Sequence, residues 1–407
     1  MDPLDILSNL NCVTPHFQPI FSADEHRIIG YEILGRFQYQ SEWVSLGPFF
    51  HDEEIPDEYR IEVDNIVLQK AIEHILSEGQ QDKYLFINRD AKLLTKSNGE
   101  EFIELLKSYV EQGLQLNKIV LEISESHFTD ELERLVHLLL YYKTYGIKIA
   151  IDNVGEKIGQ WNQFSTFSPD IFKVDLKHLR KEVGNQAYND ILFSLSILAR
   201  KLGASLLFEN IELDYQLHFA WKNGGRFYQG YYLHKPSPGL QDPYILKQKL
   251  KSKCQSFIQI EKKNLQSVYQ FAERIQQELQ EVVPKLKKQN EDPNDFLRQL
   301  GHHLSYMCFR LYICDENGFQ KSHNLFKQKN EWIDQPKYLG KNWSWRSYFL
   351  ENIIEMQNEQ RGILSDSYID IETGGTIRTF SFPLGNQDYL FIDISHDYLY
   401  EQDGFLL

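Results

Sequence analysis

From residue 15 to about residue 240, short apolar runs alternate with amphipathic stretches. The strand-like runs are His16–Phe21, Arg27–Leu34, Tyr84–Asn88, Lys118–Ile123, Ile147–Asp152, Ile171–Asp175, Ser205–Glu209 and Phe227–Leu233. Between most of them lie helix-like stretches, including Glu58–Leu76, Glu100–Gln112, Thr129–Tyr145 and Gln186–Leu202. The last places Ile191, Leu195, Leu198, Ala199 and Leu202 on one face, the spacing of a helix with one buried side. Runs apolar along most of their length belong to strands buried on both faces of a parallel sheet. Eight such strands with helical crossovers predict an α/β fold, a (β/α)8 TIM-like barrel. The first two strands are joined by a turn around Ala23-Asp24-Glu25, too short for a parallel crossover. They are expected to run antiparallel, an irregular first strand in the barrel.

After Pro236-Ser237-Pro238-Gly239 the texture changes to Lys, Gln and Glu with spaced apolar residues. Leu265, Val268, Ala272, Ile275, Leu279, Val282 and Leu286 recur at alternating steps of three and four. That spacing fits a long helix lying against its own domain, and equally a dimeric coiled coil. Pro284 is expected to end or kink it, and the polar stretch Gln289-Asn290-Glu291-Asp292-Pro293-Asn294 reads as a hinge. From Phe296 onward, Phe309–Ile313, the turn Asp315-Glu316-Asn317-Gly318, Thr376–Phe382 and Tyr389–Ile394 describe a hairpin-rich antiparallel sheet. The expected organisation is a barrel over 1–240, a long helical connector over 241–293, and a smaller α+β, sensor-like domain over 294–407.

Composition narrows the function classes. With 407 residues the chain is long enough for two cores, and 42% hydrophobic and 14% aromatic residues supply them. A formal charge of −15 disfavours nucleic acid polymers and anionic membrane faces. It leaves room for a small anion, because bound cations invert the local field. No apolar run approaches the roughly 20 residues of a membrane helix, and Met1–Asn11 lacks the features of a signal peptide. Cys12, Cys254, Cys308 and Cys314 are scattered, as free thiols in a reducing, cytoplasmic setting would be. His302-His303 read as ordinary helix residues.

The candidate chemistry sits at strand ends. Ile147-Lys148-Ile149-Ala150-Ile151-Asp152-Asn153-Val154-Gly155 is an apolar run that stops in an acid, an amide and a glycine. Working residues of a barrel gather at the C-terminal ends of its strands. Glu32, Asn88, Glu122, Asp152, Asp175 and Glu209 take such positions on successive strands. Carboxylates and an amide oxygen, without a Cys or His cluster, describe a hard divalent cation: magnesium, manganese or calcium.

These residues resemble a known family. Residues 1–240 look like the EAL domain, the cyclic-di-GMP phosphodiesterase family. The likeness lies in Gln18-Pro19-Ile20, Tyr31-Glu32-Ile33-Leu34-Gly35-Arg36, Leu121-Glu122-Ile123-Ser124-Glu125, Phe172-Lys173-Val174-Asp175, Glu209-Asn210-Ile211-Glu212, and Gln229-Gly230-Tyr231 with Pro236. With the C-terminal part added, the chain resembles YkuI-type proteins, in which a PAS-like domain follows the EAL domain. The resemblance implies that Glu32, Asn88, Glu122 and Asp152 hold the first cation, with Asp152 shared between two. Lys173 would stand near the attacking water and the phosphate. Asp175 and Glu209 would complete the acidic shell, Glu209 as general base or support of the second cation. Gln18, Glu32, Leu34, Arg36, Asp175, Gln229 and Pro236 would contact the dinucleotide, Arg36 as a fork on phosphate oxygens. Glu125 and Glu212 would tether the loop after strand five.

The departures carry as much weight. Where the family usually has Asp-Asp-Phe-Gly-Thr-Gly, this chain reads Asp152-Asn153-Val154-Gly155-Glu156-Lys157, and Asn210 stands where the family has Gly. Asn153 offers an oxygen but no charge, which weakens a second cation most. The expected function is therefore metal-dependent binding of cyclic-di-GMP with hydrolysis weak or lost. A working phosphodiesterase yielding the linear dinucleotide is the alternative, and a protein scaffold a third. In the C-terminal part, Arg346 and Tyr348 with Asp393 resemble PAS- or Cache-type domains that clamp a small zwitterion, so an unidentified small ligand is expected there. A homodimer is expected from the resemblance and from the heptad spacing.

Overall fold

The computed structural model describes residues 3–96, 99–124, 132–154, 168–177, 179, 186–329, 331–346 and 349–401. The chain divides into two units, Met1–Gln255 and Ser256–Leu407.

In the first unit the apolar runs become β1 (Val13–Ser22), β2 (Ile28–Tyr39), β3 (Glu42–Ser45), β4 (Tyr84–Asn88), β5 (Ile119–Ser124), β6 (Lys148–Asp152), β7 (Ile171–Asp175), β8 (Ser205–Glu209) and β9 (Gly225–Tyr228). Their order is β1-β9-β8-β7-β6-β5-β4-β2-β3, and β1 also pairs with β2. Among the described residues, eight strands thus close a ring, with β3 as an extra strand on β2. From β2 and β4 through β9 the pairings are parallel. β1 is antiparallel to both of its neighbours, as the short turn requires. Ile20, Ile29, Phe86, Val120, Ala150, Ile171 and Leu207, one from each of seven strands, pack together inside the ring.

Two strand ends differ from the expectation. β2 continues seven residues beyond Glu32, because its polar tail pairs with β3 in a hairpin. β9 stops at Tyr228, although the apolar run continues to Leu233. There Gly230 takes φ +152°, and a Cβ on it would lie 2.2 Å from the Ile211 carbonyl oxygen.

The crossover helices described are α1 (Pro3–Ser8), α2 (Gly47–Phe50), α3 (Asp57–Ser77), α4 (Ala91–Lys96), α5 (Glu100–Lys107), α6 (Leu132–Thr144), α7 (Gln186–Leu202) and α8 (Asp214–Lys222). α3 shows the logic: Val63, Val67, Leu68, Ala71, Ile72 and Ile75 form one buried stripe.

A long helix, α9 (Lys247–Gln289), fills most of the stretch expected as a connector. It does not end at Pro284, one of the two outcomes expected there. A proline inside a helix removes a hydrogen bond and costs about 3 kcal/mol. Here Leu279 and Val283 before it are buried in the second unit's core, and the Lys287 ammonium after it donates to the Leu384 carbonyl at 2.9 Å. Anchors on both sides outweigh the local penalty. The same burial takes Ile275 and Leu279 out of any seam offered to another molecule, whereas Leu265 stays exposed. The expected hinge is a capped turn: the Asp292 carboxylate accepts the Asn294 N–H at 2.8 Å, and Pro293 opens α10 (Pro293–His303).

The second unit carries β10 (Cys308–Asp315), β11 (Asn324–Gln328), β12 (Glu331–Gln335), β13 (Ile363–Leu364), β14 (Tyr368–Ile369), β15 (Thr376–Gly385) and β16 (Asp388–Ser395), with α11 (Phe349–Glu359) and α12 (His396–Glu401). The sheet runs β12-β11-β10-β16-β15-β13, with β14 also on β15, and its pairings are antiparallel. β10 alternates as a two-faced strand must: Leu311 and Ile313 join α9 and α10, while Tyr312 and Cys314 join α11. On the latter face Arg310, buried, donates to Asp393 at 2.6 Å and Asp370 at 2.7 Å. Asp393, 0% exposed, also accepts the Thr379 hydroxyl at 2.6 Å. The acid expected to clamp a zwitterion is therefore spent on an internal arginine, and Arg346 lies 4.7 Å over the Trp343 ring. Tyr348 lies outside the described residues.

Candidate functional site

Parallel strands that end on one side of a ring bring distant residues together. Cα register aligns Gln18 with Glu32 and Asn88 with Glu122. It also aligns Ser124 with Asp152 and Asp175 with Glu209. The side chains of four of them, Glu32, Glu122, Asp152 and Glu209, converge on one cation of the protein's own. The Lys173 ammonium, 1% exposed, lies 2.9 Å from Glu122, 3.3 Å from Glu209, 3.5 Å from Glu32 and 3.6 Å from Asp152. Burial alone would lower the lysine's pKa, but Asp152, Glu122, Glu209 and Glu32 outweigh it and hold the ammonium well above its ordinary range.

The acids respond unequally. Glu32 is buried, which would raise its pKa, yet Lys173, Gln229 and Asn88 keep it below the ordinary value. Asn88 Nδ2 donates to Glu32 Oε1 at 2.7 Å, and Gln229 Nε2 donates to Glu32 Oε2 at 2.5 Å. Glu122 is driven well above its ordinary value, by burial first and then by the Glu32 and Asp152 charges, against the pull of Lys173. Burial, with Asp152, Glu32 and Asp175 nearby, pushes Glu209 up to about 8.

The remaining expected residues divide. Leu34 and Arg36 line a cavity of about 430 Å³ that reaches the rim at Asn88, Glu122, Asp152 and Asn153. Arg36 donates to the Gly35 carbonyl at 3.0 Å, and its pKa is lowered by burial. Gln18 is buried on β1, and Pro236 is half-buried beyond β9. Asp175 is turned toward Lys177, accepting its backbone N–H at 2.6 Å and meeting its ammonium at 2.8 Å. Glu212 is exposed, its backbone N–H donated to Gln216 at 2.7 Å. Glu125, Glu156 and Lys157 lie outside the described residues.

Asn153 shows what the amide does in place of an acid. Its φ is +57°, a left-handed conformation that Asn adopts more readily than most residues. Its Nδ2 donates to Asp152 Oδ2 at 2.9 Å. An aspartate there could not make that bond as an ion. Asn210, the other departure, also has positive φ, +54°, at the end of β8. The glycine-like geometry is kept without glycine.

Among the described residues, no three of His, Cys, Asp and Glu stand ready as a metal-holding group. The convergence point belongs to Lys173. The donor set nonetheless fits a hard cation: Glu122 Oε1 and Asp152 Oδ1 are buried carboxylate oxygens without a hydrogen-bond partner. Asp152 Oδ1 has only the Lys173 ammonium, at 3.6 Å, to balance it, and buried oxygens so thinly partnered are costly. Sequence reasoning missed the side wall of the cavity, where α2 and α3 contribute Phe50, Arg60 and Asp64 and the residue after Asn88 contributes Arg89. No helix among the described residues is long and apolar enough to cross a membrane.

Comparison with known proteins places this geometry. The model of the EAL domain matches residues 6–236, and that of the EAL-domain associated signalling protein domain matches residues 241–406. The uncharacterized EAL-domain containing protein YkuI of Bacillus subtilis is 49% identical over 407 residues, the full length of both chains. The crystal structure of that protein in complex with substrate c-di-GMP and calcium superposes with a TM-score of 0.95 over 100% of each chain. The probable cyclic di-GMP phosphodiesterase PdeG of Escherichia coli is 26% identical over 228 residues, 55% of this chain and 44% of its own. With matches covering the barrel and the unit behind it, the chain belongs to the EAL-domain family and carries the EAL-associated signalling domain after its barrel.

Proposed function

We propose that the first unit binds cyclic-di-GMP together with a divalent cation, and that it hydrolyses the dinucleotide slowly or not at all. The observation that carries this is the gathering of Glu32, Glu122, Asp152 and Glu209 within 3.6 Å of the Lys173 ammonium, next to an Asn153 whose amide is spent on Asp152. Glu32, Asn88, Glu122 and Asp152 would hold the cation, magnesium, manganese or calcium. The 49% identical YkuI, described in complex with c-di-GMP and calcium, supports the ligand. A bound divalent cation polarises a phosphoryl oxygen and acidifies a water.

The chain's own residues do the rest. Gln229 and Asn88 orient Glu32 by donating to its two oxygens. Lys173 supplies fixed positive charge toward the phosphate, Glu209 accepts a proton, and Arg36, Leu34, Gln18 and Pro236 border the ligand. A second cation would need another anionic ligand beside Asp152, and Asn153 brings none. A sensor-like second domain and a homodimer belong to the same reading.

Calorimetry with cyclic-di-GMP, calcium and an EDTA control tests binding, and chromatography of products in magnesium or manganese tests turnover. The expected result is cation-dependent binding with little linear dinucleotide formed. Asn153→Asp is expected to raise affinity for a second cation at least tenfold, about 1.4 kcal/mol, and to increase turnover. Rapid turnover by the natural chain would establish the phosphodiesterase alternative instead.

A further inference from the structure

We infer that Trp43 stacks on a base: its exposed indole is the platform for one guanine of the bound dinucleotide. The inference rests on the function proposed above and names a ligand contact within it.

Beyond Glu32 the tail of β2 rises past the rim, with β1 paired on one side and β3 on the other. Paired residues of antiparallel strands share a face, and so do alternate residues of one strand. Register sets Gln18 opposite Glu32, His16 opposite Leu34, Ser45 opposite Arg36 and Trp43 opposite Gln38. All of them therefore stand on the face that Glu32 turns to the Lys173 ammonium, 3.5 Å away. Other contacts agree. Leu34, Arg36 and Ser45 line the cavity that reaches Asn88, Glu122 and Asp152. The Glu32 charge acts on Arg36, and Arg36 in turn acts on His16.

On this face Trp43 leans back across β2. Its ring meets that of His16 edge-on, with centroids 5.1 Å apart and planes at 63°. His16 is buried, and burial and then Arg36 lower its pKa, so a neutral ring braces the indole. The rest of Trp43 stays open to solvent, 43% exposed. Leu34, the partner of His16, lies two residues beyond Glu32, about 7 Å along the strand. The sugar between a phosphate and its base can span that step.

The surroundings choose the occupant. A protein interface needs about 800 Å² on each partner, and the neighbours of Trp43 on this face of the hairpin, Gln38 and Ser45, are polar and exposed. A single flat apolar ring beside a guanidinium suits a nucleotide instead: the indole takes the base, and Arg36 takes phosphate oxygens. With a phosphate of cyclic-di-GMP at the cation rim, one of its two guanines lies over Trp43.

The test uses the full chain with calcium, cyclic-di-GMP titrated by calorimetry, and tryptophan emission followed in parallel. Trp43→Leu keeps apolar bulk without a flat ring, and Trp43→Phe keeps a ring without the indole. Thermal unfolding of each variant reports whether the barrel is intact. Trp43→Leu is expected to lose about fivefold to a hundredfold in affinity, and Trp43→Phe only a few-fold. A stacked guanine quenches indole emission, so the natural chain should dim on saturation and Trp43→Phe should dim less while still binding. Unchanged affinity in Trp43→Leu, or equal dimming in Trp43→Phe, overturns the inference and leaves the proposed function standing. Should Trp43→Leu fail to fold, the emission of Trp43→Phe decides alone. Failure of the natural chain to bind cyclic-di-GMP overturns both.

Discussion

Replacing Lys173 with Met puts the balance of the rim to a direct test. The ammonium is 1% exposed and meets four carboxylates between 2.9 and 3.6 Å. Met nearly fills the space of the aliphatic stem, so the change is mainly one of charge. Removing one partner of a buried ion pair costs about 3–5 kcal/mol, because the other charge is left uncompensated. For a unit of this size each kcal/mol moves the midpoint by about 2–4 °C. In EDTA the variant should therefore unfold about 6–20 °C below the natural chain. Calcium should then raise the variant's midpoint by more than it raises the natural chain's, since no ammonium competes for the same oxygens. At a hundredfold excess over its dissociation constant a cation adds about 2.7 kcal/mol. The assay is thermal unfolding followed by circular dichroism, in EDTA and across a calcium titration. A variant in EDTA that melts within 2 °C of the natural chain would refute the view that Lys173 holds the rim together.

Two further substitutions probe other parts of the argument. Arg310→Met leaves Asp393 and Asp370, 0% and 1% exposed, without their cation. The second unit should lose about 3–5 kcal/mol, read as an earlier transition in calorimetry. Gly230→Ala places a Cβ 2.2–2.3 Å from the Ile211 backbone. The resulting shift costs about 1–3 kcal/mol and displaces the neighbouring Gln229 from Glu32. It should therefore lower both the melting midpoint and the affinity for cyclic-di-GMP, measured by calorimetry.

The barrel was legible because its strands are buried on both faces and announce themselves as apolar runs. The irregular first strand was legible from one short turn. What the runs could not show was where pairing rather than burial sets an end. β2 outlasts its apolar stretch to pair with β3, and β9 stops short of its own because Gly230 approaches Ile211. That the helix does not end at Pro284 has a related reason: a local penalty of known size was overruled by packing that only the fold reveals. At the site, residues at strand ends were readable from position alone. Asp175 shares that position but turns to Lys177, a side-chain choice that spacing does not encode. The walls of the cavity come from α2 and α3, whose Arg60 and Asp64 look in sequence like ordinary polar faces of helices.

The doublet Asp152-Asn153 decides how much charge the rim can accept. Formally, four carboxylates around one ammonium leave three negative charges. An acid at 153 would make four, the charge that two divalent ions balance. With the amide, a first ion leaves one negative charge, and a second would leave the rim positive before the dinucleotide arrives. The amide also works against the second ion sterically and electronically. Its Nδ2, the positive end of its dipole, is the group turned to Asp152. An oxygen can be offered only by rotating the amide and giving up that bond. On the function proposed above, hydrolysis would depend on whether the ligand's own phosphates supply the missing charge. The second cation's affinity is then expected to rise with cyclic-di-GMP present, and Asn153→Asp is expected to remove the dependence, both read by calorimetric titration of the cation with and without the dinucleotide.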